Sequence, residues 1–126
     1  MKYLVALAVT LGLTALAFGQ HGHGAQKGPN GGPMEDVAGV HAEFLASGNT
    51  ITINIFDEAG KPLNAAGYSG SVLVVSGSNR ETLALAPVGG NALKGDTKAG
   101  LARDAAITLM VKTESGKTGQ ARFKCC

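Results

Sequence analysis

"GVHAEFLASGNTITINIFD", residues 39–57, decides the fold class. In its first half Val40, Ala42, Phe44 and Ala46 alternate with His41, Glu43 and Leu45. In its second half Ile51, Ile53 and Ile55 alternate with Thr50, Thr52 and Asn54. Period-two alternation puts one set on each face of a pleated strand. β-Branched isoleucine and threonine suit such a surface. Ser47-Gly48-Asn49 between the halves reads as a hairpin turn. The stretch predicts two antiparallel strands with one buried face each, and His41, Glu43 and Asn54 on the outer face.

The same pattern continues toward the C-terminus. Asp57 to Leu63 is a turn punctuated by Gly60 and Pro62. Ser71 to Gly77 is a valine-rich strand that reads as buried on both faces. Glu81 to Pro87 alternates through Leu83 and Leu85, and a short Asn91-to-Gly95 run follows. Ala106 to Lys112 alternates through Ile107, Leu109 and Val111, and Thr118 to Lys124 forms the last strand. Ala99 to Ala106 suits one helical turn at most. About seven short strands with turn signals between them predict an antiparallel β-sandwich of immunoglobulin-like architecture. The Cys…Trp…Cys pattern of antibody domains is absent.

Toward the N-terminus the composition changes twice. Lys2 followed by the apolar run Leu4 to Phe18 has the layout of a secretory signal peptide. The run falls short of the about 20 residues a spanning helix needs. Ala17 and Gly19 suit cleavage after Gly19, with cleavage after Ala17 as the alternative. The expected organisation is a signal peptide over 1–19, a flexible Gly/His/Pro leader over 20–33, a β-sandwich over 34–124 and a Cys-Cys tail at 125–126. The expected location is periplasmic or secreted, with no membrane span after cleavage.

The formal net charge of +2 includes Lys2, so the cleaved chain is nearly neutral. No basic block points to nucleic acid. Tryptophan is absent, which argues against an aromatic platform for sugars or single strands. No nucleophile elbow or phosphate-cradling loop is present. Asp57 and Glu58 are adjacent carboxylates, but they sit in a turn that reads as solvated, without the cleft acid/base work needs. The expectation is a protein that is not an enzyme.

Side chains suited to a transition metal remain. They are His21 and His23 in the leader, His41, Met34, and the adjacent Cys125 and Cys126. Imidazole, thioether and thiolate suit copper, zinc and nickel. Each also has a plainer reading. The leader histidines serve equally as solvated linker residues, His41 as an outer-face polar residue and Met34 as a gap filler. The cysteine pair serves equally as an interchain bridge or a bare tail. As an internal bridge it closes no loop, and adjacent α-carbons about 3.8 Å apart sit closer than ordinary disulfides prefer.

Residues 28–95 resemble a small β-sandwich domain of secreted bacterial proteins. A similar domain accompanies the periplasmic adaptor subunits of heavy-metal efflux pumps. The likeness is carried by Pro29 to Gly32, by His41 and Glu43, and by Asp57 with Gly60 to Pro62. Val72 to Gly77 and the Leu85-to-Leu93 segment complete it. The terminal cysteine pair lies outside the pattern. The resemblance implies a setting in heavy-metal handling, and no adaptor role, since the helical hairpin and barrel of an adaptor are absent. The leading expectation is a small envelope protein that binds or buffers copper, zinc or nickel weakly. The alternative is a metal-free module that docks on an envelope complex, such as an efflux complex.

Overall fold

The structure is a computed structural model that describes residues 26–126. Eight strands run as β1 (Met34–Val37), β2 (Val40–Ser47), β3 (Thr50–Phe56), β4 (Ser69–Ser76), β5 (Asn79–Pro87), β6 (Ala92–Asp96), β7 (Ala106–Lys112) and β8 (Thr118–Lys124). They form one antiparallel sheet in the order β1-β2-β3-β6-β5-β4-β7-β8. A 3-10 turn, Ala65–Gly67, precedes β4. The Ala99-to-Ala106 stretch contributes no helical turn. Among the described residues no helix is long and apolar enough to cross a membrane.

The sheet folds over itself, and β5 is the seam. Its Asn79-to-Leu85 portion pairs with β4, while Ala86 and Pro87 pair with Lys94 and Leu93 of β6. The two halves face each other across the core. Phe44 of β2 stacks on Phe123 of β8 with ring centroids 5.5 Å apart. The two end strands then meet. Gly119 of β8 lies so close to Ala38, just after β1, that a Cβ on it would stand 2.7 Å from the Ala38 nitrogen. The sheet is nearly closed.

The all-β antiparallel reading holds, with eight strands where the pattern suggested about seven. The additional one is β1. Its turn to β2 is Ala38-Gly39, both at positive φ (52° and 82°). That is the mirror-image turn whose twist suits a hairpin. Alanine is unusual there, so the usual Asn-Gly or Asp-Gly cue is missing. The inward set of β3, Ile51, Ile53 and Ile55, is fully buried, as are Ile107 and Leu109 of β7. Each such side chain contributes about 1.5–3 kcal/mol.

Two faces depart from the simple alternation. Leu73 and Val75 of β4 remain half-exposed, so that strand is not covered on both sides. On the β2–β3 outer face the departure is opposite. Glu43 is 0 % exposed, and Asn54 and Phe56 are also buried. Over Glu43 the cause is the chain before β1. Gln26 to Pro33, read from composition as part of a flexible leader, folds back across β2 with hydrogen bonds of its own. The Gly28 amide donates to the Gly32 carbonyl at 2.7 Å, and the Met34 amide donates to the Gln26 carbonyl at 3.0 Å.

Candidate functional site

Glu43 holds that loop. One carboxylate oxygen accepts from the Asn30 side-chain amide at 2.8 Å. The other accepts from the Asn30 backbone amide at 2.8 Å and the Gly32 amide at 3.1 Å. The Asn54 side-chain amide approaches from β3 at 3.5 Å. The loop can close this tightly only because it is glycine-rich. A Cβ on Gly28 would fall 2.4 Å from the Glu43 carboxyl carbon, and one on Gly32 would fall 2.1 Å from the Phe44 carbonyl oxygen. A buried carboxylate is tolerable because N–H donors replace its water. The "PNGG" and His-x-Glu stretches are therefore two parts of one clamp.

Other residues of the quoted pattern also hold backbone. The Asp57 carboxylate accepts from the Ala59 and Lys61 amides at 2.9 and 2.8 Å. Asp57 is thus spent on its own turn. The Asn91 side chain donates to the Ile55 carbonyl at 3.1 Å, and Asn91 accepts the Ile55 amide through its own carbonyl. These contacts tie the β5–β6 turn to the end of β3.

Among the described residues, two grooves contain side chains from the candidate metal set. The first has a volume of about 410 Å³. Its walls are Gln26, Lys27 and Gly31 to Pro33 on one side, Phe44 to Ala46 of β2 along the floor, and Lys124 and Cys126 on the other side. The clamped loop is one of its walls. The cysteine tail is another, fixed by bonds from the Cys125 amide to the Ala105 carbonyl at 2.9 Å and from the Cys126 amide to the Arg103 carbonyl at 3.2 Å. Cys125 is buried, Cys126 is exposed, and the two are joined to each other in a vicinal disulfide.

The second groove, of about 360 Å³, is lined by Asp36, Gly39, Val40, His41 and Glu58. His41 contacts the Asp36 carboxylate through Nδ1. Asp36 and His41 are register partners across β1 and β2, which brings them together.

The candidate metal residues are therefore dispersed. His41 belongs to the second groove and Cys126 to the first. Met34 lies half-buried on β1, in register with Glu43. His21 and His23 lie outside the described residues. Among the described residues no three of His, Cys, Asp and Glu gather into a metal cage. Sequence reasoning missed the role of Glu43 and Asn30. Their available signal was a run of bare Gly and Asn amides upstream of a lone carboxylate, which strand periodicity does not register.

Comparison with protein-family models, with characterised proteins and with solved structures finds no match to this chain.

Proposed function

We propose that this chain is a small secreted or periplasmic β-protein that binds a transition metal ion, copper, zinc or nickel, weakly, in the service of heavy-metal handling. The observation that carries the reading is the placement of Gln26. This residue lines the groove shared with Cys126, and His21-Gly22-His23 stands only a few residues ahead of it. Imidazole is the commonest protein metal ligand, and two of them stand one residue apart in this sequence. A binding protein fits better than an enzyme. The carboxylates Glu43 and Asp57 are engaged in holding loops.

The first test is a copper(II) titration of the oxidised protein, purified so that mass spectrometry confirms His21 and His23 are retained. Histidine must shed its proton to lend a lone pair, and unperturbed imidazole titrates near pH 6.5. Binding at pH 7.5 should weaken markedly at pH 5, and it should weaken at both pH values in a His21→Ala, His23→Ala variant whose thermal midpoint without metal is unchanged. A variant that binds as tightly as wild type would rule out the leader histidines. A wild type that neither binds nor gains thermal stability with metal would leave the docking-module reading in its place.

A further inference from the structure

One outer face of the sheet carries charge of a single sign. Strands β5, β4, β7 and β8 stand side by side, and alternate side chains on each point away from the core. Their register sets the outward residues in rows. One row runs Arg80, Val75, Ala106, Lys124 from strand to strand. In the next, Leu73 is opposite Thr108, which is opposite Arg122. Met110 and Lys112 continue the outward set of β7. At about 4.7–4.9 Å per strand spacing, the face is roughly 14 Å wide.

Arg80, Lys112, Arg122 and Lys124 are all exposed. No outward position of these four strands holds an acidic residue, although the chain has 9 of them. Glu81 belongs to the opposite face of β5, in register with buried Val74, and accepts from the Lys98 amide at 2.9 Å. Glu114, in the β7–β8 turn, packs against Gly67. A chain of formal net charge +2 thus gathers four cations on one surface. Between them the face is apolar. Leu73 and Val75 are half-exposed and Met110 is 48 % exposed. Exposed apolar surface rimmed by polar groups marks an interaction site.

Charge and shape select the occupant. A second copy of the chain would set cations against cations, which is unfavourable. A protein partner anchored by a large side chain needs a pocket to receive it. The hollow at the corner of this face, lined by residues 69–71 and 110–112 and by Thr118, has about 260 Å³, below the about 300 Å³ where ligand pockets begin. An anionic bilayer surface asks for less: spread positive charge with apolar surface between. We propose that the outer face of β5, β4, β7 and β8 docks on an anionic phospholipid surface, with Arg80, Lys112, Arg122 and Lys124 meeting headgroup phosphates and Leu73, Val75 and Met110 lying against the interface between them.

The docking is shallow. No aromatic residue stands at an outward position of these strands, so the interfacial anchors of deeply seated proteins are missing. Charge carries the attraction, and salt must weaken it. Each lysine or arginine beside an anionic surface strengthens binding about fivefold. The proposal goes beyond the metal-binding reading and uses no metal.

The test is cosedimentation with vesicles of phosphatidylglycerol or of phosphatidylcholine, in the presence of a chelator. The protein is used with residues 1–19 removed and its mass checked, because the apolar run Leu4 to Phe18 would itself bind lipid. Wild type should bind phosphatidylglycerol at low ionic strength, release it at high ionic strength and ignore phosphatidylcholine. An Arg122→Gln, Lys124→Gln variant should bind about 25-fold more weakly, and an Arg80→Gln, Lys112→Gln variant should match it. A Lys61→Gln, Lys94→Gln variant has the same net charge but keeps the face, and it should bind as wild type does. All these side chains are exposed, so thermal midpoints measured in parallel should agree. The proposal fails if wild type leaves phosphatidylglycerol unbound, if binding persists undiminished at high salt, or if the Lys61, Lys94 pair weakens binding as much as the face pairs do. If the vesicles stay unbound while soluble polyglutamate binds and the face pairs weaken it, the face serves an acidic protein and the lipid proposal is overturned.

Discussion

Glu43 shows how much one side chain can organise. It is fully buried on a face that periodicity assigns to solvent. Alternation correctly places it opposite Ala42 and Phe44. What alternation lacks is any knowledge of what lies above that face. The cover comes from the chain itself, brought there by donors on Asn30 and Gly32. Truncation at this position strands those donors. Bonds to a charged group are worth about 1.5–3 kcal/mol, and a stranded buried donor costs about 1–3 kcal/mol. Glu43→Ala should therefore lower unfolding stability by about 3 kcal/mol, read as a fall in the denaturant midpoint. Glu43→Gln keeps the shape but offers an N–H where donors already point, so it should rank between the two. A loss below about 0.5 kcal/mol for the alanine variant, the range of ordinary surface changes, would show that the clamp does not contribute to stability.

Among the elements, β2, β3, β7 and β8 are the most legible because each pairs apolar alternation with an adjoining turn signal. β1 was not. Met34-Glu35-Asp36-Val37 is short and acidic in the middle, and Ala38-Gly39 is an uncommon hairpin turn. Its pairing with β2 is set by the loop ahead of it, in which Lys27 bridges Pro33 and the Phe44 amide donates to the Pro33 carbonyl at 3.0 Å. That loop is the element most sensitive to added bulk. A methyl group on Gly32 meets a backbone carbonyl, which cannot rotate away as a side-chain tip does. Gly32→Ala should cost about 1–3 kcal/mol, as overpacking does. It should also speed amide hydrogen exchange at Gly28 and Met34, whose bonds define the loop. Gly31→Ala separates the two costs: a Cβ there meets nothing within 4 Å, so its loss reports only the strain of alanine at φ +84°.

For the whole molecule, the types of candidate ligand could be read from the sequence, but their arrangement could not. His-x-His and Cys-Cys announce themselves as residue pairs. The groove that Gln26 and Lys27 share with Cys126 depends on strand order, and β8 reaches β1 only because the sheet curls through eight strands. The same topology explains why His41 stands apart from Cys126, since the two line different grooves. The cysteine pair contributes little to global stability because a bridge between neighbours removes almost no freedom from the unfolded chain. The Cys125→Ala, Cys126→Ala variant should retain the fold, losing less than the about 2 kcal/mol typical of a long-range staple. Thermal midpoints under oxidising conditions measure this. A larger loss would show that the tail acts as a structural latch, through Cys125 in the core.

The meeting of β1 and β8 has a consequence for behaviour at high concentration. A row of unpaired amides and carbonyls at the margin of an open sheet is a template on which another molecule can build, and long exposed margins seed fibrils. Here the margins are short on one side, where β1 is Met34–Val37, and set against the chain's own last strand on the other. The chain shields its own sticky edges, so it can accumulate to high local concentration without recruiting copies of itself into a growing stack.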